Sequence, residues 1–282
     1  MLNHRIEGGL RGTTLVLIHP LGGDLTFWSD LGLGAVAPGG SVAVDLAGAG
    51  ASALGDRPAT IARHAEDLSD LIDALGLGRV VAVGCAIGSM TAAALAARRP
   101  DRVAGLVLAN AVASTIPSAR AMLAARADAV ARDGMAAVLP GAVERAFLDQ
   151  PQDDRYRRYY ERFAAQDAIG YAASIRGILD ADIRTELAAL ACPTLVVTGG
   201  RDVLLPPERG REVADLVPGA RYETFPEAAH FLPYQTPNRF RTLLADFLAE
   251  IDRAGPQAGD HKGTAIDGRP QAGDHRQAIT GG

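Results

Sequence analysis

The sequence predicts an α/β fold on a mostly parallel central sheet with helices on both faces. Three observations predict it. Short runs recur that are almost continuous in Val, Leu and Ile, as in strands covered on both sides. Between them stand stripes of apolar residues at helical spacing. Strand and helix alternate in chain order, the pattern that right-handed crossovers between parallel strands impose.

The elements follow in order. Thr13 to His19 (TTLVLIH), Ser41 to Leu46, Arg79 to Gly84, Val103 to Ala109 and Thr194 to Gly199 read as buried strands, and Tyr222 to Phe225 adds another. Ile61, Ala65, Leu68, Ile72 and Leu75 mark one face of a helix. The Ala-rich stretch from Met90 to Arg99 forms a second, which stops before Pro100. Phe240, Leu244, Phe247 and Ile251 repeat the stripe near the end. The alternation breaks between Ser114 and Arg184, where the pattern is helical without a convincing strand. We read residues 115–184 as a helical cap inserted into a single domain spanning 1–253, whose core is 1–114 and 185–253.

Within that cap, Tyr156, Tyr159, Tyr160 and Phe163 share a helix face, ringed by Arg155, Arg157, Arg158 and Arg162. An amphipathic helix with a solvated basic rim accounts for this pattern. A lid over a pocket, offering an arginine to an anionic substrate, accounts for it too. Beyond Ala254 the composition collapses to Gly, Pro, Gln, Asp and Ala, and PQAGDH occurs at Pro256–His261 and again at Pro270–His275. Residues 254–282 read as a disordered, low-complexity tail.

Composition excludes several classes of function. With 28 basic and 33 acidic residues the net charge is −5, the reverse of a nucleic-acid footprint. The two cysteines, Cys85 and Cys192, sit in no metal-binding spacing, and neither a metal nor another cofactor is expected. The start, MLNHRIEGGL, lacks a basic region and apolar run, and no apolar stretch approaches the roughly 18 residues that span a bilayer. The expectation is a cytoplasmic protein acting on a small molecule, with no nucleic-acid or membrane partner.

The chemistry concentrates at three places. Gly84-Cys85-Ala86-Ile87-Gly88 has the form of a nucleophile elbow, a strained strand-to-helix turn flanked by small residues. Its apex, the nucleophile position, is Ala86, whose methyl group attacks nothing. Placing Cys85 or Ser89 at the apex would put bulky residues at the small sites; Cys85 reads instead as a small buried residue at a strand end. Asp202 follows a strand in TGGRD and His230 lies in FPEAAHFLP before the last helix. Elbow, acid and His in that order make a general base (His230) oriented by a carboxylate (Asp202). His19-Pro20-Leu21-Gly22-Gly23 follows the first strand, where a second oxyanion donor belongs. Pro20 has no N–H, so the donors would be the backbone N–H groups of Leu21 and Ile87. His19 reads as a tie for this loop, and His19, Pro20 and Cys85 as pocket lining. Gly48-x-Gly50-x-x-Ala53 loosely matches a dinucleotide fingerprint, but no helix opens directly from it.

LVLIHPLGGD, the Asp45–Ser52 run, the elbow, TLVVTGGRD and AAHFLPYQTPNRF together make the chain resemble the α/β-hydrolase fold superfamily, and within it 3-oxoadipate enol-lactonases. The resemblance covers Met1 to Ile251. It implies an α/β-hydrolase fold with a cap, hydrolysis of an ester or lactone, and a catalytic set of nucleophile, Asp and His falling at Ala86, Asp202 and His230. The missing nucleophile leaves three readings open. One is a hydrolase inactivated at its serine. Another is a Ser-independent enzyme, hydrolase or lyase, using His230 as base. The third is a non-catalytic small-ligand binder.

Overall fold

The computed structural model describes residues 1–254, and the repeat-bearing tail lies outside the described residues. Its centre is a seven-stranded sheet: β1 (His4–Glu7), β2 (Thr14–Ile18), β3 (Ser41–Val44), β4 (Val80–Cys85), β5 (Val103–Ala109), β6 (Thr194–Gly199) and β7 (Arg221–Phe225). Their spatial order is β1-β3-β2-β4-β5-β6-β7, parallel except where β1 pairs antiparallel with β3. The expected mostly parallel sheet is thus present. β1 was not anticipated, because HRIE is a half-exposed edge strand with no apolar run.

Side-chain alternation along the inner strands divides the core in two. Leu15, Leu17, Val81, Val83, Val107 and Val197 face Phe27, Trp28 and the last helix, α10 (Pro237–Ala254). Val16, Ile18, Val80, Ala82, Leu106 and Val196 face α1 (Ile61–Ala74) and α2 (Ile87–Arg98). This two-sided burial is why the strands read as unbroken Val, Leu and Ile.

Between β5 and β6 the chain forms α3 (Pro117–Asp133), α4 (Gly141–Ala146), α5 (Asp154–Ala164), α6 (Ala168–Ile178) and α7 (Arg184–Ala188). The two ends of this insert are stitched together: Thr115 N donates to Ala181 O at 2.9 Å and Ile183 N to Ala113 O at 2.9 Å. After β6 come α8 (Pro207–Leu216), then β7 and the short α9 (Leu232–Gln235) ahead of α10. The insert rests directly on the core. A Cβ at Gly170 in α6 would run into the Gly48 carbonyl, so only glycine lets the two backbones meet there.

Candidate active site

β4 ends at Cys85 and α2 begins at Ile87, leaving Ala86 alone to make the turn. It does so at φ 51° and ψ −113°, a region that costs a non-glycine residue on the order of 1–3 kcal/mol. The flanking glycines are required by close approach. A Cβ on Gly84 would strike the Gly88 carbonyl, and one on Gly88 would strike that of Ile18. The turn therefore has the geometry its sequence predicts, with a methyl group at its apex.

Neither neighbour of Ala86 presents a free nucleophile. Ser89 Oγ lies 2.9 Å from Gly84 O and 2.8 Å from Ala109 O, so its one proton is committed to backbone carbonyls. Cys85 is fully buried. Burial, and then the negative charge of Asp202, hold its thiol well above the usual range, so it stays a neutral SH.

Asp202 sits just beyond β6 and is 3% exposed. Its Oδ1 accepts from the backbone N–H of Leu204 and of Leu205, each at 2.9 Å. Its Oδ2 accepts from Asn110 Nδ2 at 2.8 Å and from His230 Nδ1 at 2.9 Å. Burial pushes this carboxyl up, but the charge of His230 and the donated hydrogen bonds outweigh it and hold the group below the usual carboxylate range. Asp202 therefore remains an anion, and it fixes His230 with a proton on Nδ1. That leaves Nε2 without a protein partner among the described residues. The loop carrying His230 is pinned from below by Gln235, whose Oε1 accepts from Ala229 N at 2.9 Å and whose Nε2 donates to Ala146 O at 3.0 Å.

The loop after β2 is held by His19. Its Nδ1 donates to Pro20 O at 2.8 Å and its Nε2 accepts from Leu46 N at 3.0 Å, a pattern that only neutral imidazole satisfies. Burial lowers its pKa against the pull of the Pro20 carbonyl, in keeping with that state. Leu21 and Ile87 donate their backbone N–H groups to no protein acceptor among the described residues. Both line a small recess open to solvent, together with His19, Gly48, Gln166, Tyr171 and Ser174. The structure thus brings Leu21, Ile87 and His19 to one cavity, floored by the elbow side of the sheet and walled by α6. The glycine-rich run after β3 carries no vacant phosphate cradle. Asp45 fills it, accepting from Leu25 N at 2.7 Å and Ala51 N at 2.8 Å. Among the described residues no group of three or more His, Cys, Asp or Glu could hold a metal, and no helix is long and apolar enough to cross a membrane.

The arginine-rich rim of α5 behaves as a solvated face. Arg155 pairs with Asp153 at 2.9 Å, Arg158 with Asp30 at 2.6 Å, and Arg157 with Asp154. Arg162 alone of the four turns inward, 3.5 Å from Asp24. The buried face of that helix, Tyr159 and Phe163, packs over the pocket loop, with the Phe163 ring against Gly22.

Sequence reasoning missed Asn110, Gln235 and Tyr171. Asn110 ends β5 at φ 46°, and its side chain bridges Asp202 Oδ2 and Ala229 O. An Asn directly after a buried strand, where a left-handed residue is needed, was the available signal. Gln235 and Tyr171 gave none, because their roles depend on chain segments far away in sequence.

The chain matches a family model described as alpha/beta hydrolase fold over residues 13–237. It is 30% identical over 261 residues to a Caulobacter sp. (strain K31) protein named "Putative carbamate hydrolase RutD", covering 88% of this chain and 96% of that one. The solved enol-lactonase of Burkholderia xenovorans LB400 superposes with a TM-score of 0.81 at 30% identity, over 88% of this chain and 96% of that one. A thermophilic esterase from Thermogutta terrifontis gives a TM-score of 0.81 at 28% identity, over 89% and 93%.

Proposed function

The chain belongs to the α/β-hydrolase fold family, and from that premise we propose that it hydrolyses a small carboxylic ester, lactone or carbamate with water in the place of a side-chain nucleophile. One observation carries this reading: an intact Asp202–His230 pair, 2.9 Å between Oδ2 and Nδ1, beside an elbow whose apex is the methyl of Ala86. Similarity to proteins named as carbamate hydrolase, enol-lactonase and esterase supports the range of acyl substrates.

The steps follow from the groups at hand. The substrate carbonyl oxygen lies against the N–H groups of Leu21 and Ile87. A water held above Ala86 gives a proton to His230 Nε2 as its oxygen bonds to the carbonyl carbon. Asp202 stabilises the imidazolium this creates. The two N–H groups stabilise the tetrahedral oxyanion, a contribution of about 2.7–4 kcal/mol per donor in related chemistry. The intermediate then breaks its bond to the leaving oxygen or nitrogen, which takes the proton from Nε2. The acid and the alcohol or amine leave, and no acyl-enzyme forms.

A panel of aryl esters, lactones and carbamates, assayed on wild type, His230→Ala and Ala86→Ser, tests this. Wild type is expected to turn over without a pre-steady-state burst and without labelling by a fluorophosphonate. His230→Ala should lose activity by about 10²–10⁴-fold. Ala86→Ser should become labelled and show a burst. Hydrolysis indifferent to His230 would overturn the reading.

A further inference from the structure

Ala229 stands directly before His230, and both of its backbone groups are held by side-chain amides. Its carbonyl accepts from Asn110 Nδ2 at 3.1 Å, and its N–H donates to Gln235 Oε1 at 2.9 Å. The peptide that follows is fixed at its other end. His230 N donates to Ala146 O at 3.3 Å, the same carbonyl that accepts from Gln235 Nε2 at 3.0 Å. The loop also lies hard against the sheet: a Cβ on Gly199, the last residue of β6, would strike the Ala229 carbonyl.

Neither amide is free to turn over. The two hydrogens of Asn110 Nδ2 go to Asp202 Oδ2 at 2.8 Å and to Ala229 O, so a flipped group would set Oδ1 against two acceptors. A flipped Gln235 would face N–H with N–H and carbonyl with carbonyl. Asn110 is itself firmly placed. It is 1% exposed, and its own N–H donates to Val197 O in β6 at 2.8 Å. It holds φ 46°, and its Oδ1 is buried without a partner among the described residues. Glycine would carry neither cost. What asparagine supplies in return is one donor group for two loops: the carboxylate that orients the imidazole and the backbone that carries it.

The arrangement bears on the proton at Nδ1. Asp202 Oδ1 is occupied by the Leu204 and Leu205 amides, and Oδ2 by Asn110 and by His230 Nδ1. With Asn110 on one side of Oδ2 the carboxylate cannot rotate, and its remaining lone pair meets the imidazole. We propose that Asn110 and Gln235 are positioning residues for His230, a two-amide clamp on Ala229 that sets the spacing and angle between the imidazole and Asp202. Asn110 acts from the sheet, and Gln235 ties the same loop to α4 of the cap. Calling His230 a base rests on the hydrolase reading above; the placement of its ring does not.

The test therefore has a readout that needs no turnover. The full chain, labelled with 15N-histidine, is compared by long-range 1H–15N correlation at about pH 8, above the free imidazole value of about 6.5. His230→Ala assigns the ring. Wild type should show the Nδ1–H tautomer. In Asn110→Gly and in Gln235→Met its ratio to the Nε2–H form should fall about tenfold or more. With any substrate that is turned over, each variant should lose about tenfold in kcat while KM stays within about twofold. Both amides act on one residue, so the double variant should lose less than the product of the two single losses. Val107→Ala truncates the apolar core of the same strand and controls for stability alone: it should unfold at lower urea and keep the wild-type tautomer. Gln235 lies on the four-residue α9, away from the sheet, and keeps the test open if Asn110→Gly fails to fold. A wild-type tautomer in the amide variants, or the same change in Val107→Ala, would overturn the clamp. Losses that multiply would show two separate supports and overturn the shared one. A protein that hydrolyses nothing yet loses its tautomer in these variants keeps the clamp and loses only the reaction.

Discussion

On the sheet side, beyond the ends of β5 and β6, the Asp202 carboxylate accepts from the Leu204 and Leu205 amides, Asn110 and His230, and each hydrogen bond is 2.8–2.9 Å at its shortest. On the cap side, Tyr159 and Tyr171 are just as buried and their hydroxyls donate to nothing. The difference separates two tasks. The sheet side pairs the Asp202 carboxylate fully within the chain, and leaves His230 Nε2 and the buried Asn110 Oδ1 without a partner among the described residues. The cap side leaves two buried hydroxyls without an acceptor among the described residues. Changes to the first should act on kcat, and changes to the second on binding.

Asp202→Asn offers the largest expected effect and the most direct attack on this contrast. An amide at this position offers an NH2 group or a weaker acceptor to His230 Nδ1 and no longer holds the base in its tautomer. The loss expected in kcat approaches that of His230→Ala, about 10²–10⁴-fold, with KM nearly unchanged. Tyr171→Phe, on the recess wall, should show the reverse, a raised KM with kcat largely kept. Steady-state kinetics on both variants checks the pair. If the two give the same mixture of kcat and KM effects, the division of labour between the walls is wrong.

The sheet side should also fail first in acid. His64 lies on α1, 1% exposed, with Nδ1 unpartnered, and burial above all, then the nearby His19 and Arg63, lowers its pKa to about 3. The unfolded value is about 6.5. Between these two values the unfolded chain binds a proton that the folded chain excludes. Stability therefore rises with pH across the window, is fully present above about pH 6.5, and is lost as pH falls. Asp202, also depressed, adds a loss at lower pH, where its carboxylate is finally protonated. From pH 7 to 4.5 the His64 contribution amounts to about 2–3 kcal/mol. Urea unfolding of His64→Gln should show that much less acid sensitivity. Tyr171→Phe should leave the acid limb as in wild type, since burial raises that phenol to about 12 and it stays neutral throughout. An unchanged slope in His64→Gln would show that the acid limb arises elsewhere.

The same division explains what could be read in advance. Strands buried on both faces announce themselves as apolar runs, so β2 to β6 were legible and the half-exposed β1 was not; β7, RYETF, is also half-buried and was read only over Tyr222 to Phe225. The Gly84–Gly88 turn, Asp202 and His230 could be singled out because they follow β4, β6 and β7 in chain order. Which arginine points inward was not legible. The cluster at Arg155, Arg157 and Arg158 drew attention by composition, but each of these has an acid within reach of its own exposed face. Arg126 lies on α3, where only Ala127 and Val130 are buried, so no stripe orients it and its place is set by packing against α6. Local pattern reports burial, whereas the partner of a long side chain is a tertiary fact.

Ala86→Gly carries the smallest expected effect and bears on why the elbow is kept at all. Ala86 holds φ 51° and ψ −113° without a side-chain hydrogen bond to reward it. Glycine adopts that region freely, so the strain, about 1–3 kcal/mol, is released. Glycine also gives the unfolded chain more freedom, which takes back about 0.4–1 kcal/mol. A net gain of up to about 2.6 kcal/mol is expected in urea unfolding. On the proposed mechanism the turn serves to aim the Ile87 N–H at the recess. A freer residue at 86 should loosen that aim and lower kcat by a few-fold, leaving KM nearly unchanged. A variant that is no more stable would show that the surrounding backbone imposes this conformation without cost. A more stable variant with undiminished kcat would remove Ile87 from the oxyanion site and leave Leu21 as its donor.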